Sequence, residues 1–298
     1  MLGFMKDLIR VLRVALLHLI YNIYPSLSLP KRAVIVAPHP DDEVIGCGGL
    51  IQALVERGTP PHVIILTGGE GSHRGCCGIS AEELITGRHN LTIKAAETMG
   101  LPLSHIHCLQ YPDGGVALEH PETERLAALL QELKPDAIFV PHHGEGWNDH
   151  LKAAEIVKAL IGTLNENENT KHYTLNSKQK QRDLSKQKRS ASLNTKQEQR
   201  DLTKHYTLNS KQERSASLNS KPELYSYCVW MWYYNVWDFR MKDAFLLRLS
   251  EKQHRIKQKA IEQYVTPTAP CSKPWSGVLP KPFLKATKWN KELYFLKR

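Results

Sequence analysis

Short apolar runs recur along the chain at intervals that leave room for one helix between each pair. Residues 33–37, 62–67, 104–109 and 136–141 are such runs. The hydrophobicity is most continuous in the first, second and fourth, which predicts strands buried on both faces of a parallel sheet. Between them the apolar positions fall three and four apart. One helix ends over 50–57 with Gly58 as its cap, and others are predicted over 84–99, 121–133 and 151–160. Alternation at this spacing predicts an α/β fold: a Rossmann-like, mostly parallel sheet with helices on both faces and right-handed crossovers.

The two ends read differently. Residues 1–24 are apolar with Lys6, Arg10 and Arg13 toward the front, but the uninterrupted run 14–17 is broken by His18 and then Asn22. That is too short for the ~20 residues of a membrane span, and no small-residue cleavage site follows. Residues 1–30 are therefore expected to carry an amphipathic helix that packs on the domain, with peripheral membrane contact through residues 1–24 as the alternative. Toward the C-terminus, 224–234 has strand propensity, 239–264 carries helical patterning, 267–282 is predicted irregular, and 292–296 is read as a final edge strand.

Composition changes abruptly over residues 165–221. Lys171-His-Tyr-Thr-Leu-Asn-Ser-Lys-Gln179 recurs at 204–212, Gln181-Arg-Asp-Leu184 at 199–202, and Arg189-Ser-Ala-Ser-Leu-Asn194 at 214–219. The spacings of 33, 18 and 25 share no period, which excludes a regular solenoid. Residues 171–221 hold 13 Lys+Arg against 4 Asp+Glu, a net of +9 out of the chain's +10. A basic tract poor in apolar residues and rich in Gln, Ser and Asn is expected to be a disordered insertion. The domain itself, 31–164 with 222–298, is close to neutral, so no nucleic-acid partner is expected. Six cysteines without CxxC spacing point to reduced thiols and a cytoplasmic setting, with the inner face of a membrane as the alternative address.

The candidate chemistry sits directly after the first strand. Pro38 and Pro40 force the chain out of the sheet, so His39, Asp41 and Asp42 emerge at the carboxyl end, where open α/β sheets bind ligands. Three such groups next to a core strand are costly to desolvate unless something pairs with them, and a divalent cation does so. His39 and Asp42 are three apart and can share one metal, leaving Asp41 as a base. The strand over 136–141 repeats the architecture and leads to His150, giving two His and one Asp, an open zinc set that other divalent metals also suit. In the glycine-rich loop 68–78, Glu70, His73 and Arg74 lie beside this edge as candidate substrate contacts, although a plain surface loop is an equal reading.

Pro38-His-Pro-Asp-Asp-Glu43 and the distal Asp149-His150 resemble the marks of the PIG-L/LmbE-like zinc-dependent de-N-acetylases, the family of N-acetylglucosaminyl-phosphatidylinositol deacetylase. Leu66-Thr-Gly-Gly-Glu70, Arg88 ahead of Met99-Gly100, Tyr111-Pro-Asp-Gly-Gly115 and the aromatic stretch 229–237 extend the likeness. The resemblance implies zinc on His39, Asp42 and His150, Asp41 as general base, and Asp149 tuning the nearby imidazole. It implies that Arg88 meets the substrate, and the place of Asp113 at a strand end suits a sugar hydroxyl. The implied activity is removal of acetyl from an N-acetylglucosamine-like sugar or glycoconjugate. One departure matters: the usual His three residues before the last ligand is Trp147 here, so His142, His143 or Glu145 is expected to supply the acid. Two other readings stay open, a catalytically impaired glycan binder and a basic membrane or nucleic-acid adaptor working through 171–221.

Closure entropy rises only logarithmically with loop length. Replacing residues 171–221 by a short Gly/Ser linker is therefore expected to leave the melting temperature and metal content unchanged. An insoluble or metal-free deletion protein would show that the segment packs on the domain.

Overall fold

In the computed structural model the four apolar runs lie side by side as parallel strands. The structure describes residues 2–73, 78–162, 221–234 and 243–297. β1 (Ala33–Ala37), β2 (His62–Thr67), β3 (Ile106–Tyr111), β4 (Ala137–Pro141) and β5 (Glu223–Tyr227) are parallel, and β6 (Ala244–Arg248) and β7 (Lys291–Lys297) are antiparallel additions. The order is β3-β2-β1-β4-β5-β7-β6. Residues 1–158 and 222–298 make one compact unit, which holds the sheet. Residues 159–221 make a second, of which only 159–162 and 221 are described. The insertion read at 165–221 lies, except for Lys221, outside the described residues.

The chain steps outward from β1 to β2 and β3, then returns to the other side of β1 as β4. Between β1 and β4 the strand order reverses, and the crevice at their carboxyl ends is the switch point where such sheets bind ligands. β1 and β4 are buried along their whole length. Ala33, Ile35 and Ala37 face a core shared with helices α2 (Asp42–Glu56), α3 (Ala81–Met99) and α6 (Glu251–Val265). Helix α4 (Glu122–Leu133) and helix α5 (148–162) complete the crossovers around β4.

Two C-terminal expectations are corrected. The stretch read as helical over 239–264 contains β6, and the helix starts only where Ser250 and Gln253 form a capping box. Ala244-Phe-Leu-Leu-Arg248 is too short a run for its period to distinguish strand from helix, and pairing with β7 decides it. The strand read as an edge, β7, lies between β5 and β6 and is buried over Glu292–Phe295. β6 is the true edge, and residues 25–27 cover it through Leu27 N–H to Leu246 O and Leu246 N–H to Pro25 O.

Helix α2 must sit very close to the sheet, because it carries the site residues. A Cβ on Gly46 would lie 2.3 Å from the Tyr227 ring, and one on Gly49 would lie 2.3 Å from Leu249 Cδ2. Buried Glu292 of β7 fastens the helix from the other side. It accepts the Gly49 and Leu50 N–H groups at 2.6 and 2.8 Å, Lys257 Nζ at 2.6 Å and the Tyr294 hydroxyl at 2.7 Å.

The N-terminal helix α1 (Leu2–Tyr21) packs on the domain, as expected. Val14, Leu17 and Tyr21 join Leu246, Leu293 and Phe295 in a second core cluster. No helix among the described residues is long and apolar enough to cross a membrane. Leu17 is fully buried whereas Leu19 is 70% exposed. Leu17→Ala is therefore expected to cost roughly 2–5 kcal/mol in urea unfolding and Leu19→Ala less than about 0.5. Equal effects would show that α1 is not anchored through this stripe.

Candidate active site

Pro38 ends β1, and the chain enters α2 through Asp41, which takes φ 125° and ψ −30°, a conformation side chains rarely adopt. Several neighbours hold it there. Glu43 accepts the Asp41 N–H at 2.9 Å and is itself bound by the Tyr264 hydroxyl at 2.5 Å. Buried Arg88 donates to Pro40 O at 2.5 Å, Gly69 O at 3.0 Å and Asp41 Oδ2 at 3.3 Å. Strain maintained by this many contacts marks a functional position.

Asp42, the first residue of α2, points its Oδ2 between two imidazoles: His39 Nδ1 at 3.2 Å and His150 Nε2 at 3.3 Å. His150 comes from α5, after β4, so the pair spans the switch point. On the far side of His39, Nε2 lies 3.3 Å from both Asp113 Oδ1 and Asp149 Oδ2. Two donor sets result, His39/Asp42/His150 and His39/Asp113/Asp149, each with ligand atoms within 4.8 Å of one another.

The carboxylates of both sets have backbone donors, Asp42 Oδ2 accepting the His39 N–H at 3.0 Å, and the second imidazole distinguishes the sets. Asp149 accepts the Gly114 N–H at 2.7 Å and the Val116 N–H at 3.2 Å, and Asp113 accepts the Gly71 N–H at 2.7 Å. Both ring nitrogens of His150, by contrast, are buried without a hydrogen-bond partner. An orphaned, fully buried imidazole beside a carboxylate and a second imidazole has the donor chemistry of a divalent metal site. The set His39, Asp42 and His150 fits one.

The electrostatics agree. Burial raises Asp41 to about 8, with Arg88 opposing and Asp42 adding to the rise. Burial also works upward on Asp42, but His150 and His39 hold it below the usual carboxylate range. Burial disfavours charge on the imidazoles too, yet Asp42 and Glu145 lift His150 to about 9, and Asp113, Asp149 and Asp42 lift His39 well above its ordinary value. The carboxylates thus draw positive charge to the point between the rings, where a metal cation serves as well as two protons.

A cavity of about 280 Å³ opens onto this cluster, lined by His39, Asp41, Asp42, Arg88, Asp113, Asp149 and His150, with Trp147 and Trp230 as apolar wall. The expected substrate residues divide. Arg88 and Asp113 line the cavity. Glu70 stands behind it and accepts the Asp113 N–H at 2.7 Å. His73 bonds Pro274 O at 2.9 Å and contacts Cys271, and Arg74 lies outside the described residues.

None of the three acid candidates lines the cavity. His142 is fully buried, accepts the Gly144 N–H on Nδ1 at 3.0 Å and packs on Phe295. His143 is exposed. Buried Glu145 accepts the N–H groups of Val229, Trp230 and Met231, and stands 3.6 Å from His150 Nδ1, where it orients that imidazole. The sequence reading passed over Asn148, Ser276, Leu279 and Phe283, which also line the cavity. Ser276 and Leu279 belong to the proline-rich stretch 267–282, predicted only as irregular, and Phe283 follows it in the short helix Lys281–Ala286.

Fold and site together define an α/β protein with a buried His/Asp cluster at its switch point, a donor set that suits a metal ion. Residues 34–161 match the model of the PIG-L family, described as GlcNAc-PI de-N-acetylase. It is 32% identical over 157 residues to 1D-myo-inositol 2-acetamido-2-deoxy-alpha-D-glucopyranoside deacetylase of Corynebacterium glutamicum, covering 44% of this chain and 53% of that one. To diacetylchitobiose deacetylase of Thermococcus kodakarensis it is 28% identical over 137 residues, 45% of this chain and 50% of that one. The chain thus spans about half the length of these curated relatives. The fold is shared with N,N'-diacetylchitobiose deacetylase from Pyrococcus horikoshii at a TM-score of 0.51 and 18% identity, over 81% of this chain and 72% of that chain.

Asp42→Ala and His150→Ala are each expected to leave the purified protein without stoichiometric metal in elemental analysis, whereas Asp113→Ala retains it. Metal loss in Asp113→Ala together with retention in His150→Ala would assign the ion to the other donor set.

Proposed function

We propose that this protein is a metal-dependent hydrolase that removes the acetyl group from an N-acetylglucosamine-like sugar or glycoconjugate, with zinc held by His39, Asp42 and His150. The observation that carries the reading is the buried His150, which stands beside Asp42 and Glu145 while neither ring nitrogen completes a hydrogen bond. The deacetylase titles of the relatives supply the reaction class. A divalent ion held there supplies Lewis acidity toward the acyl oxygen and acidifies water.

The chain's own residues do the rest. Asp41 borders the cavity next to the donor set, and burial favours its proton-bound form, so it suits a group that takes a proton and returns it. It accepts the proton of the attacking water as the C–O bond forms. Because Trp147 stands where the family's imidazole is usual and none of His142, His143 and Glu145 lines the cavity, Asp41 then delivers that proton to the leaving nitrogen as the C–N bond breaks. Acetate and an amine leave. Arg88 keeps Asp41 in place through Pro40 O and Oδ2. Asp113 offers an acceptor to sugar hydroxyls, and Trp147 and Trp230 offer faces for the apolar side of a sugar ring.

Acetate release from a panel of N-acetylglucosamine conjugates tests the proposal. Asp41→Asn should retain metal and lose ~100-fold or more in turnover, as loss of a general acid–base group does. Substitution of His142 or His143 should leave the rate within a few-fold, provided the melting temperature is unchanged. Near-normal turnover in Asp41→Asn would remove Asp41 from the mechanism. No acetate release from any conjugate by metal-loaded protein would remove the activity.

A further inference from the structure

We propose that the outward face of α1, together with helix α7 (Lys281–Ala286), is a docking surface for an anionic lipid bilayer. Helix α1 carries two apolar stripes where a surface helix needs one. The first, Val14, Leu17 and Tyr21, is buried in the domain. The second runs through Met5, Leu8, Ile9, Leu12, Leu16 and Leu19, with Ile23 just beyond, and these residues are 46–82% exposed. Their spacing of three and four puts them along one side of the helix. This stripe contributes nothing to the core, and a contiguous exposed apolar face of this kind marks an interaction surface.

Charge selects the occupant. Of the basic groups on α1, Arg13 is turned inward onto the carbonyls of Met231 and Trp232, and Arg10 pairs with Asp7 at 3.0 Å, leaving exposed Lys6. Helix α7 packs against α1. It exposes Lys281 and Lys285, followed by exposed Lys288, and residues 281–291 contain no acidic side chain. Apolar residues bordered by lysines complement an anionic membrane surface, whereas a second copy of this chain would bring lysine toward lysine. Since no described helix spans a bilayer, the contact is peripheral.

The surface is continuous with the cavity mouth. The Arg10 guanidinium lies 4.1 Å over the Tyr233 ring, Tyr233 meets Trp230 at 6.0 Å, and Trp230 meets Trp147 at 5.6 Å. Trp147 is 46% exposed and, like Phe283 of α7, lines the cavity. Tryptophan at such a boundary suits the headgroup layer. The proposal is independent of the chemistry assigned to the site, because its readout is binding to lipid.

The test is co-sedimentation of the full chain with vesicles of phosphatidylcholine alone and of phosphatidylcholine with one quarter phosphatidylglycerol. Binding to the anionic vesicles is expected to be about tenfold or more tighter than to the neutral ones. Leu12→Glu with Leu19→Glu should abolish it at an unchanged melting temperature. Lys281→Glu, Lys285→Glu and Lys288→Glu together should remove the anionic preference, and this variant keeps the test decisive if the two glutamates on α1 lower the melting temperature. No sedimentation of the unaltered protein, or equal sedimentation of the Leu12→Glu/Leu19→Glu variant, overturns the proposal. So does a dimer in light scattering that this variant splits into monomers, since a second copy would then own the face.

Discussion

One carboxylate oxygen, Asp42 Oδ2, lies within 3.3 Å of imidazole nitrogens brought from two different strand ends. Everything around the switch point follows from satisfying it. Asp41, Asp42, Asp113 and Asp149 converge there from the ends of β1, β3 and β4, and among the described residues Arg88 is the guanidinium that lines the same cavity. Bringing four carboxylates together costs more than burying apolar groups returns unless positive charge is bound between them. The carboxylates raise both imidazoles, which favours positive charge at this point, and a divalent ion is the other group that the donor set suits.

That cluster could not hold its shape if α2 floated on the sheet. Asp42 opens this helix, and the helix is drawn in by the absence of side chains at Gly46 and Gly49, which lets Tyr227 and Leu249 approach. Glu292, four hydrogen bonds deep in β7, grips the Gly49 and Leu50 amides and the Lys257 ammonium. A strand near the end of the chain therefore positions Asp42 near its beginning. The antiparallel addition β6–β7 does more than widen the sheet, for without it the helix carrying Asp41 and Asp42 would lose its outer support.

The core strands were legible because burial on both faces leaves unbroken apolar runs, and 33–37 and 62–67 emerged with the bounds their hydrophobicity suggests. The metal-ligand candidates were legible because His39, Asp41 and Asp42 are polar groups that a buried strand end does not tolerate without a partner. β6 was not legible. Five residues of mixed polarity carry no period of their own, and partner β7 lies over forty residues further on. Nor were Ser276 and Leu279, whose place at the cavity comes from tertiary packing of a stretch without local regularity, or Phe283 in a helix too short to show a period. Glu145 was read as chemistry because it stands next to histidines. Its three backbone donors, contributed by residues 229–231, make it a cap and a support for His150.

Trp147 brings these threads together. In place of an imidazole it gives the cavity a large apolar wall, packed edge-to-face on Trp230 at 5.6 Å. A histidine there would add a proton-transfer group, whereas a tryptophan adds stacking area and excludes water from one side of the cluster. Lower local polarity disfavours charge on a carboxylate, and Asp41 is the carboxylate on this cavity that burial already holds in its neutral form up to about 8. An apolar wall beside Asp41 acts in the same direction as its burial, and it offers contact area on one side of the cavity. The same tryptophan ends the aromatic series that begins at Arg10 of α1. Loss of the imidazole and gain of an apolar approach to the site are two results of one substitution of side-chain chemistry.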